Sequence, residues 1–172
     1  MAALERLGGA KRFEELTGTT ASGVPGEFSV RRSVEHLHDA YAKQDECWII
    51  PIGADHPLLT IRFEARDSYP SRQGEPSHMA VQYPVGLFAQ VSRKGADLFF
   101  RCPSRGATED GNVEDTPYVK GEMFIHHTVG GDAARDPMVI LNSVSRAVAE
   151  AAGCASQAGL PAQVPDISSG DG

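Results

Sequence analysis

The sequence predicts an α+β domain, in which an antiparallel sheet of about five to six strands is covered by a C-terminal amphipathic helix and a shorter N-terminal helix. Residues 59–66 alternate apolar and polar side chains, which is the period of a strand with one buried face. Residues 139–153 instead place apolar side chains at helical spacing. Arg93-Lys94-Gly95 separates two strand-like runs and predicts a tight hairpin, so these strands are antiparallel.

The size and charge of the chain indicate a single globular domain. Its 172 residues, 41% of them hydrophobic, are enough to form one core. We divide the chain into an N-terminal segment and linker at 1–29, an α+β domain at 30–160 and a disordered tail at 161–172. A formal net charge of −7 argues against a nucleic-acid partner, which would require a basic surface.

Helices and a linker are expected before the first strand. Residues 1–17 predict a short helix, and residues 17–29 have the Thr, Ser, Gly and Pro content of a linker. Ser33 is the expected N-cap of a second helix, which would carry Leu37 and Tyr41 on one face.

The rest of the domain is expected to be mostly strands. We predict six of them, at 47–52, 59–66, 79–83, 87–92, 96–102 and 118–129. Pro51 confines the first strand to an edge of the sheet or ends its pairing, because proline donates no backbone hydrogen bond. Residues 67–78 and 103–117 are polar and predict loops.

The last helix has clear signals at both ends. Asp136 is its expected N-cap, and Pro137 suits the first helical position, where a missing N–H costs little. Gly153 suits the left-handed residue that ends a helix, and Cys154 follows directly.

The cysteines bear on both architecture and location. Cys102 ends a strand with an apolar face, and Cys154 ends the helix that must cover such a face. The two could be bridged, which would indicate an oxidising compartment, or they could be two buried free thiols. Cys47 has no obvious partner and no neighbouring cation, so we expect a free, buried thiol rather than a nucleophile.

Part of the sequence resembles a known group of proteins. The segment PVGLFAQVSRKGADLFFRCP at 84–103 resembles a recurring segment of uncharacterised extracytoplasmic proteins of actinobacteria. The helix at 139–153 with Cys154 and the following Leu160-Pro161 resembles their C-terminal part. Cys47, together with the tryptophan after it, resembles their first cysteine, and the similarity spans residues 45–162.

The resemblance implies a disulfide-bonded domain outside the membrane, held by an N-terminal transmembrane helix or a lipid, with no assigned activity. It implies a bridge between Cys102 and Cys154. It also implies a partner for Cys47 on the next strand, but residues 58–66 contain no cysteine. The chain shows no secretory signal, so we expect membrane attachment only through an anchor absent from this chain, and a cytoplasmic location if Met1 is the true start.

The histidines do not form an evident metal motif. His126 and His127 point to opposite faces of a strand, and His36 and His38 lie on different faces of a helix. A zinc site would have to be assembled by folding, for example from Glu122, His126 and a loop histidine. The sequence also lacks a Gly-rich phosphate loop and a hydrolase elbow. We therefore expect no catalytic residues, no cofactor and no metal.

These observations favour a non-enzymatic domain at the cell envelope that binds a protein or a small ligand. Two alternatives stay open. One is a small cytosolic enzyme, metal-dependent or not, with a site assembled from dispersed His, Asp and Glu. The other is an acidic intracellular inhibitor or immunity-type protein, whose charge of −7 would favour a basic target.

Overall fold

The computed structural model of the chain describes residues 2–17, 26–40, 45–71, 80–107, 111–127 and 130–167. One antiparallel sheet of eight strands runs through them in the order β2-β1-β3-β4-β8-β7-β6-β5. The strands are β1 (Phe13–Thr17), β2 (Gly26–Glu27), β3 (Cys47–Pro51), β4 (Leu59–Arg66), β5 (Val81–Gln82), β6 (Phe88–Ser92), β7 (Gly95–Ala107) and β8 (Val113–Ile125). The helices are α1 (Ala2–Gly8), α2 (Val30–Glu35), α3 (Arg135–Ala151) and α4 (Ala155–Ala158). The prediction of an α+β domain is confirmed, but the expected number of strands was too low.

Helix α3 covers one face of the sheet, as the sequence predicts. It contacts α1, α2 and α4 as well as β6, β7 and β8. Its apolar side meets the core side chains of the central strands, among them Ile61, Phe63, Leu98 and Phe100, each at most 2% exposed. The core therefore lies between α3 and the sheet, and among the described residues the other face of the sheet carries no helix.

The start of α3 differs from the prediction. The helix begins at Arg135, and Asp136 lies in its first turn. The capping side chain is Asp132, which accepts hydrogen bonds from the backbone N–H groups of Ala134 and Arg135, both at 3.0 Å. These two hydrogen bonds lower the pKa of Asp132. At the other end, Gly153 has a φ of +74°, which confirms the predicted left-handed terminator.

The segment 1–29 is part of the sheet, which corrects two expectations. The predicted helix over 1–17 ends at Gly8, and residues 13–17 form strand β1, which pairs with both β2 and β3. Strand β3 is therefore an inner strand, and Pro51 lies at its end opposite Phe13. The predicted linker over 17–29 contains β2, while its residues 18–25 lie outside the described part of the chain.

The second helix also begins earlier than expected. Its N-cap is Ser29, whose side chain accepts a hydrogen bond from the backbone N–H of Arg32 at 3.4 Å. Ser33, the predicted cap, lies inside the helix and is 2% exposed. Helix α2 ends at Glu35, and Leu37 packs into the core just beyond it.

The predicted loop over 103–117 is wrong for most of its length, because β7 and β8 form one long hairpin through it. A bulge explains the error. Arg101 pairs with Tyr118 and Ser104 with Thr116, so Cys102 and Pro103 together face the single residue Pro117. Pro103 and Pro117, which are typical of loops, thus lie at the bulge, where their lack of a backbone N–H costs the ladder no hydrogen bond.

Residues 161–167, predicted from the sequence to belong to a disordered tail, contact α3. Asn142 donates to the carbonyl oxygen of Pro161 at 2.9 Å, and Arg135 donates to that of Val164 at 3.1 Å. Val164 is 4% exposed. Residues 168–172 lie outside the described residues.

None of the described helices combines the length and apolar character that crossing a membrane requires.

Candidate functional site

The face of the sheet opposite α3, called the open face below, carries polar and aromatic side chains in cross-strand rows. Because side chains alternate along a strand, the residues between the core positions of β4 and β8 share this face. In one row, Trp48 on β3 lies opposite Thr60 on β4, and Thr60 lies opposite Phe124 on β8. In the next row, Arg62 lies opposite Glu122. The pairing register of β3, β4 and β8 therefore brings these side chains together, and no single sequence motif contains them.

Its charged side chains form one network of ion pairs, in which the carboxylates of Glu46, Asp97 and Glu122 surround two cations. Lys120 lies 2.8 Å from a carboxylate oxygen of Glu122 and 3.1 Å from one of Asp97. The guanidinium of Arg62 also binds Glu122 and lies 3.7 Å from Glu46. Arg62 is only 7% exposed, so this network is largely withdrawn from water.

The network shifts the pKa values of its members. Burial alone would raise the pKa of Glu122, but hydrogen bonds and charge from Lys120 and Arg62 outweigh it and lower the pKa. Burial would lower the pKa of Lys120, and its bonds to Glu122 and Asp97 raise it instead. Both groups are held in their charged forms, which suits a structural role rather than proton transfer.

A cleft of about 450 Å³ opens at the Trp48 end of the open face. Its lining residues, called the aromatic cleft below, are Glu46, Trp48, Pro57, Thr60, Lys94, Phe124, Ile125 and His126. The cleft arises from side-chain size, because the small Thr60 forms a floor between the larger Trp48 and Phe124. Its volume falls in the range of small-molecule sites.

The walls of the aromatic cleft are held in place by neighbours. The indole N–H of Trp48 donates to a carboxylate oxygen of Glu46 at 3.1 Å. The guanidinium carbon of Arg62 lies 5.1 Å from the ring centroid of Phe124, within cation–π range. Phe124 nevertheless remains 38% exposed, which is high for a phenylalanine on a sheet.

The predicted disulfide is present and links the two elements that the sequence indicated. Cys102 in β7 and Cys154 after α3 are bonded, with Cα atoms 5.2 Å apart. Both residues lie in the core, at 0% and 3% exposure. The bridge fixes the C-terminal end of α3 to the sheet at the β7 bulge, away from the aromatic cleft.

Cys47 is a free thiol in the core, as predicted. It is 2% exposed, and burial, with smaller contributions from Glu15 and Asp45, raises its pKa to about 12. A nucleophilic or metal-binding cysteine needs an accessible thiolate, and this environment opposes one.

The structure does not bring the predicted histidines and carboxylates together as a metal site. Glu122 is bound to Arg62 and Lys120, whereas His126 Nε2 lies 3.4 Å from the hydroxyl of Thr60. Within the described ranges, no three His, Cys, Asp or Glu side chains gather where they could hold a metal ion. His78 lies outside those ranges.

His36 and His38 have separate partners beside α2. His36 lies 2.5 Å from a carboxylate oxygen of Asp39, and His38 Nε2 lies 3.0 Å from the hydroxyl of Ser104. The ring of His38 occupies the space over Gly106, where a Cβ atom would lie 2.4 Å from it. His38 thus anchors the segment after α2 to the outer part of the β7–β8 hairpin.

Comparisons with protein families, with curated proteins and with solved structures find no match to this chain. The geometry of the open face is therefore the basis for a functional conclusion. Sequence reasoning did not single out Trp48 and Phe124, since a tryptophan and a phenylalanine in strands usually indicate core positions.

Proposed function

We propose that this chain is a non-enzymatic binding domain that works outside the cytoplasmic membrane and takes a protein or small ligand on the open face of its sheet. The observation that carries the proposal is the aromatic cleft, in which Trp48 and Phe124 stand as fixed walls above Thr60. Aromatic side chains that remain open to solvent in a concave site are typical of recognition surfaces.

The location is supported by the disulfide. A bridge between Cys102 and Cys154 is typical of proteins in oxidising compartments and rare in a reducing cytosol. On this proposal the chain would share its location with the extracytoplasmic proteins of actinobacteria that residues 84–103 resemble in sequence.

The non-enzymatic part of the proposal is supported by the state of three polar groups. Lys120 and Glu122 are held in their charged forms by each other and by neighbours, and Cys47 is buried. A general acid or base needs a pKa near the working pH, which these groups do not have.

The location is tested in the native host with the tagged chain. Intact cells are treated with a protease that does not cross the membrane, and the non-reduced protein is mapped by peptide mass spectrometry. We expect degradation on intact cells and one linked peptide pair containing Cys102 and Cys154. Protection of the chain together with free thiols at both positions would overturn the envelope proposal.

The binding role is tested with the chain's single tryptophan, which gives one indole N–H resonance in a ¹H–¹⁵N spectrum. A dialysable extract of the host's envelope is added to labelled protein, and the Trp48 peak is followed. We expect a shift that Phe124→Ser abolishes. Val113→Ser is the matched control, because Val113 lies on the same strand, is 58% exposed and is not part of the aromatic cleft. A Trp48 peak that does not shift, or a shift that is also seen in Phe124→Ser, would contradict ligand binding in the aromatic cleft.

A further inference from the structure

The shape of the aromatic cleft suits a flat group. Trp48 lies on β3 and Phe124 on β8, with β4 between them. Two strand spacings place the backbones that carry these side chains about 10 Å apart. Because Thr60 between them is small, a cleft of about 450 Å³ lies above it with an aromatic side chain on each side, which suits a flat ring.

The charge at the mouth of the cleft is positive. The two-residue turn between β6 and β7 consists of Arg93 and Lys94, both of them exposed, and Lys94 lines the cleft. The backbone N–H of Ile125 donates to the carbonyl oxygen of Lys94 at 2.9 Å, which fixes the turn beside Phe124.

The side chains of Arg93 and Lys94 are available to a ligand. Neither Arg93 nor Lys94 forms an ion pair with any of the residues that the structure describes. Glu46 also lines the cleft, where its carboxylate lies 3.7 Å from Arg62 and accepts the indole N–H of Trp48. Lys94 is thus the exposed cation of the lining that has no ion-pair partner among the described residues.

We propose that the aromatic cleft binds a small molecule with a flat apolar ring and a carboxylate, the ring between Trp48 and Phe124 and the carboxylate at Lys94. This inference rests on the proposed binding function and specifies its ligand class. The space between Trp48 and Phe124 accommodates the flat ring, and the positive charge of Lys94 attracts the carboxylate.

Three probes with the same ring test the inference: 2-naphthoate, neutral 2-naphthamide and cationic 2-naphthylmethylammonium. Each is titrated into ¹⁵N-labelled full-length protein, and the dissociation constant is read from the Trp48 indole peak. We expect 2-naphthoate to bind roughly two- to fivefold more tightly than the amide, which is the range for one exposed charge pair. The ammonium probe is expected to bind most weakly.

Lys94→Gln should remove the preference for 2-naphthoate over the amide. Arg146→Gln is the control, because it removes one positive charge from α3 on the opposite side of the sheet and should leave the preference intact. Equal affinities for all three probes, tighter binding of the ammonium or an unmoved Trp48 peak would each overturn the inference. The envelope-extract titration decides the broader binding function separately, since it makes no assumption about ring or charge.

Discussion

Arg6 and Asp136 bind each other across 130 residues of sequence and connect α1 to the first turn of α3. The Nε of Arg6 lies 3.2 and 3.1 Å from the two carboxylate oxygens, and its Nη2 binds one of them as well. Asp136 also accepts the backbone N–H of Asp132 at 3.0 Å and has a side chain only 1% exposed. One buried carboxylate thus holds the helix start, the preceding loop and the N-terminal helix together.

Replacing Asp136 by Ala should therefore destabilise the fold. The substitution removes the buried carboxylate that accepts hydrogen bonds from Arg6 and from the backbone N–H of Asp132, a loss of about 1–3 kcal/mol. The free energy of unfolding from urea titration measures it. Asp115→Ala is the matched control, since Asp115 is 78% exposed and lies 3.7 Å from Arg105, and its removal should change stability little. Equal losses in both variants would contradict a special role for Asp136.

The disulfide should act as one unit. Cys102→Ser and Cys154→Ser should each lower the free energy of unfolding, and the double variant should be no worse than either single one. The bridge closes a span of 52 residues, for which the chain-entropy model gives about 4 kcal/mol. Thermal unfolding of the three variants measures the effect. Additive losses would show that the two cysteines contribute independently.

The segment beyond α4 should contribute to stability. Val164→Ala removes two methyl groups from a side chain that is 4% exposed, which costs about 1.5 kcal/mol. Val113→Ala makes the same chemical change at a side chain that is 58% exposed and should be near neutral. Paired urea titrations compare them, and equal midpoints would mean that the C-terminal segment does not hold Val164 in the core.

Cys47 should be unreactive in the folded protein. Its thiol is 2% exposed and its pKa is raised to about 12, so almost no accessible thiolate exists at mildly alkaline pH. Iodoacetamide should modify no cysteine in the native, non-reduced chain and one cysteine after denaturation, as counted by intact mass. Rapid modification of the native protein would show that β3 opens or that the thiol is exposed.

Glu122 should make the fold sensitive to acid. Its folded pKa lies below the ordinary value of 4.5, so its contribution to stability is present above that value and is lost as the pH falls through the folded pKa. The urea midpoint should fall less between about pH 6 and about pH 3 in Glu122→Gln than in the unmodified protein. Glu114→Gln, an exposed change on the same strand, should keep the full acid dependence. Parallel pH profiles for the Glu122 variant and the unmodified protein would contradict the prediction.

The elements with a strong local pattern were predictable from sequence. Residues 59–66 alternate strictly, and the strand lies where the pattern indicates. Helix α3 also follows from its apolar face and its C-terminal glycine, whereas the sequence patterns left the Cys102–Cys154 bridge open and the resemblance implied it. In each case the local pattern and the tertiary environment agree.

The elements that were missed depend on pairing at a distance. Strand β1 has the sequence Phe-Glu-Glu-Leu-Thr, in which two adjacent carboxylates hide the alternation, and β3 holds it in the sheet. The outer part of the β7–β8 hairpin was hidden by Pro103 and Pro117, which indicate a loop unless they meet at a bulge. The aromatic cleft required the strand order β3-β4-β8, which no local pattern contains.

Both edges of the sheet, as far as the structure describes them, are strands of only two residues, Gly26–Glu27 and Val81–Gln82. Such short borders offer few free N–H and C=O groups to an incoming chain, so the sheet is poorly suited to growth by strand addition. On the proposed binding function, the partner is recognised through side chains rather than through backbone pairing. This focuses selectivity, and any evolutionary change in it, on a few positions of one face.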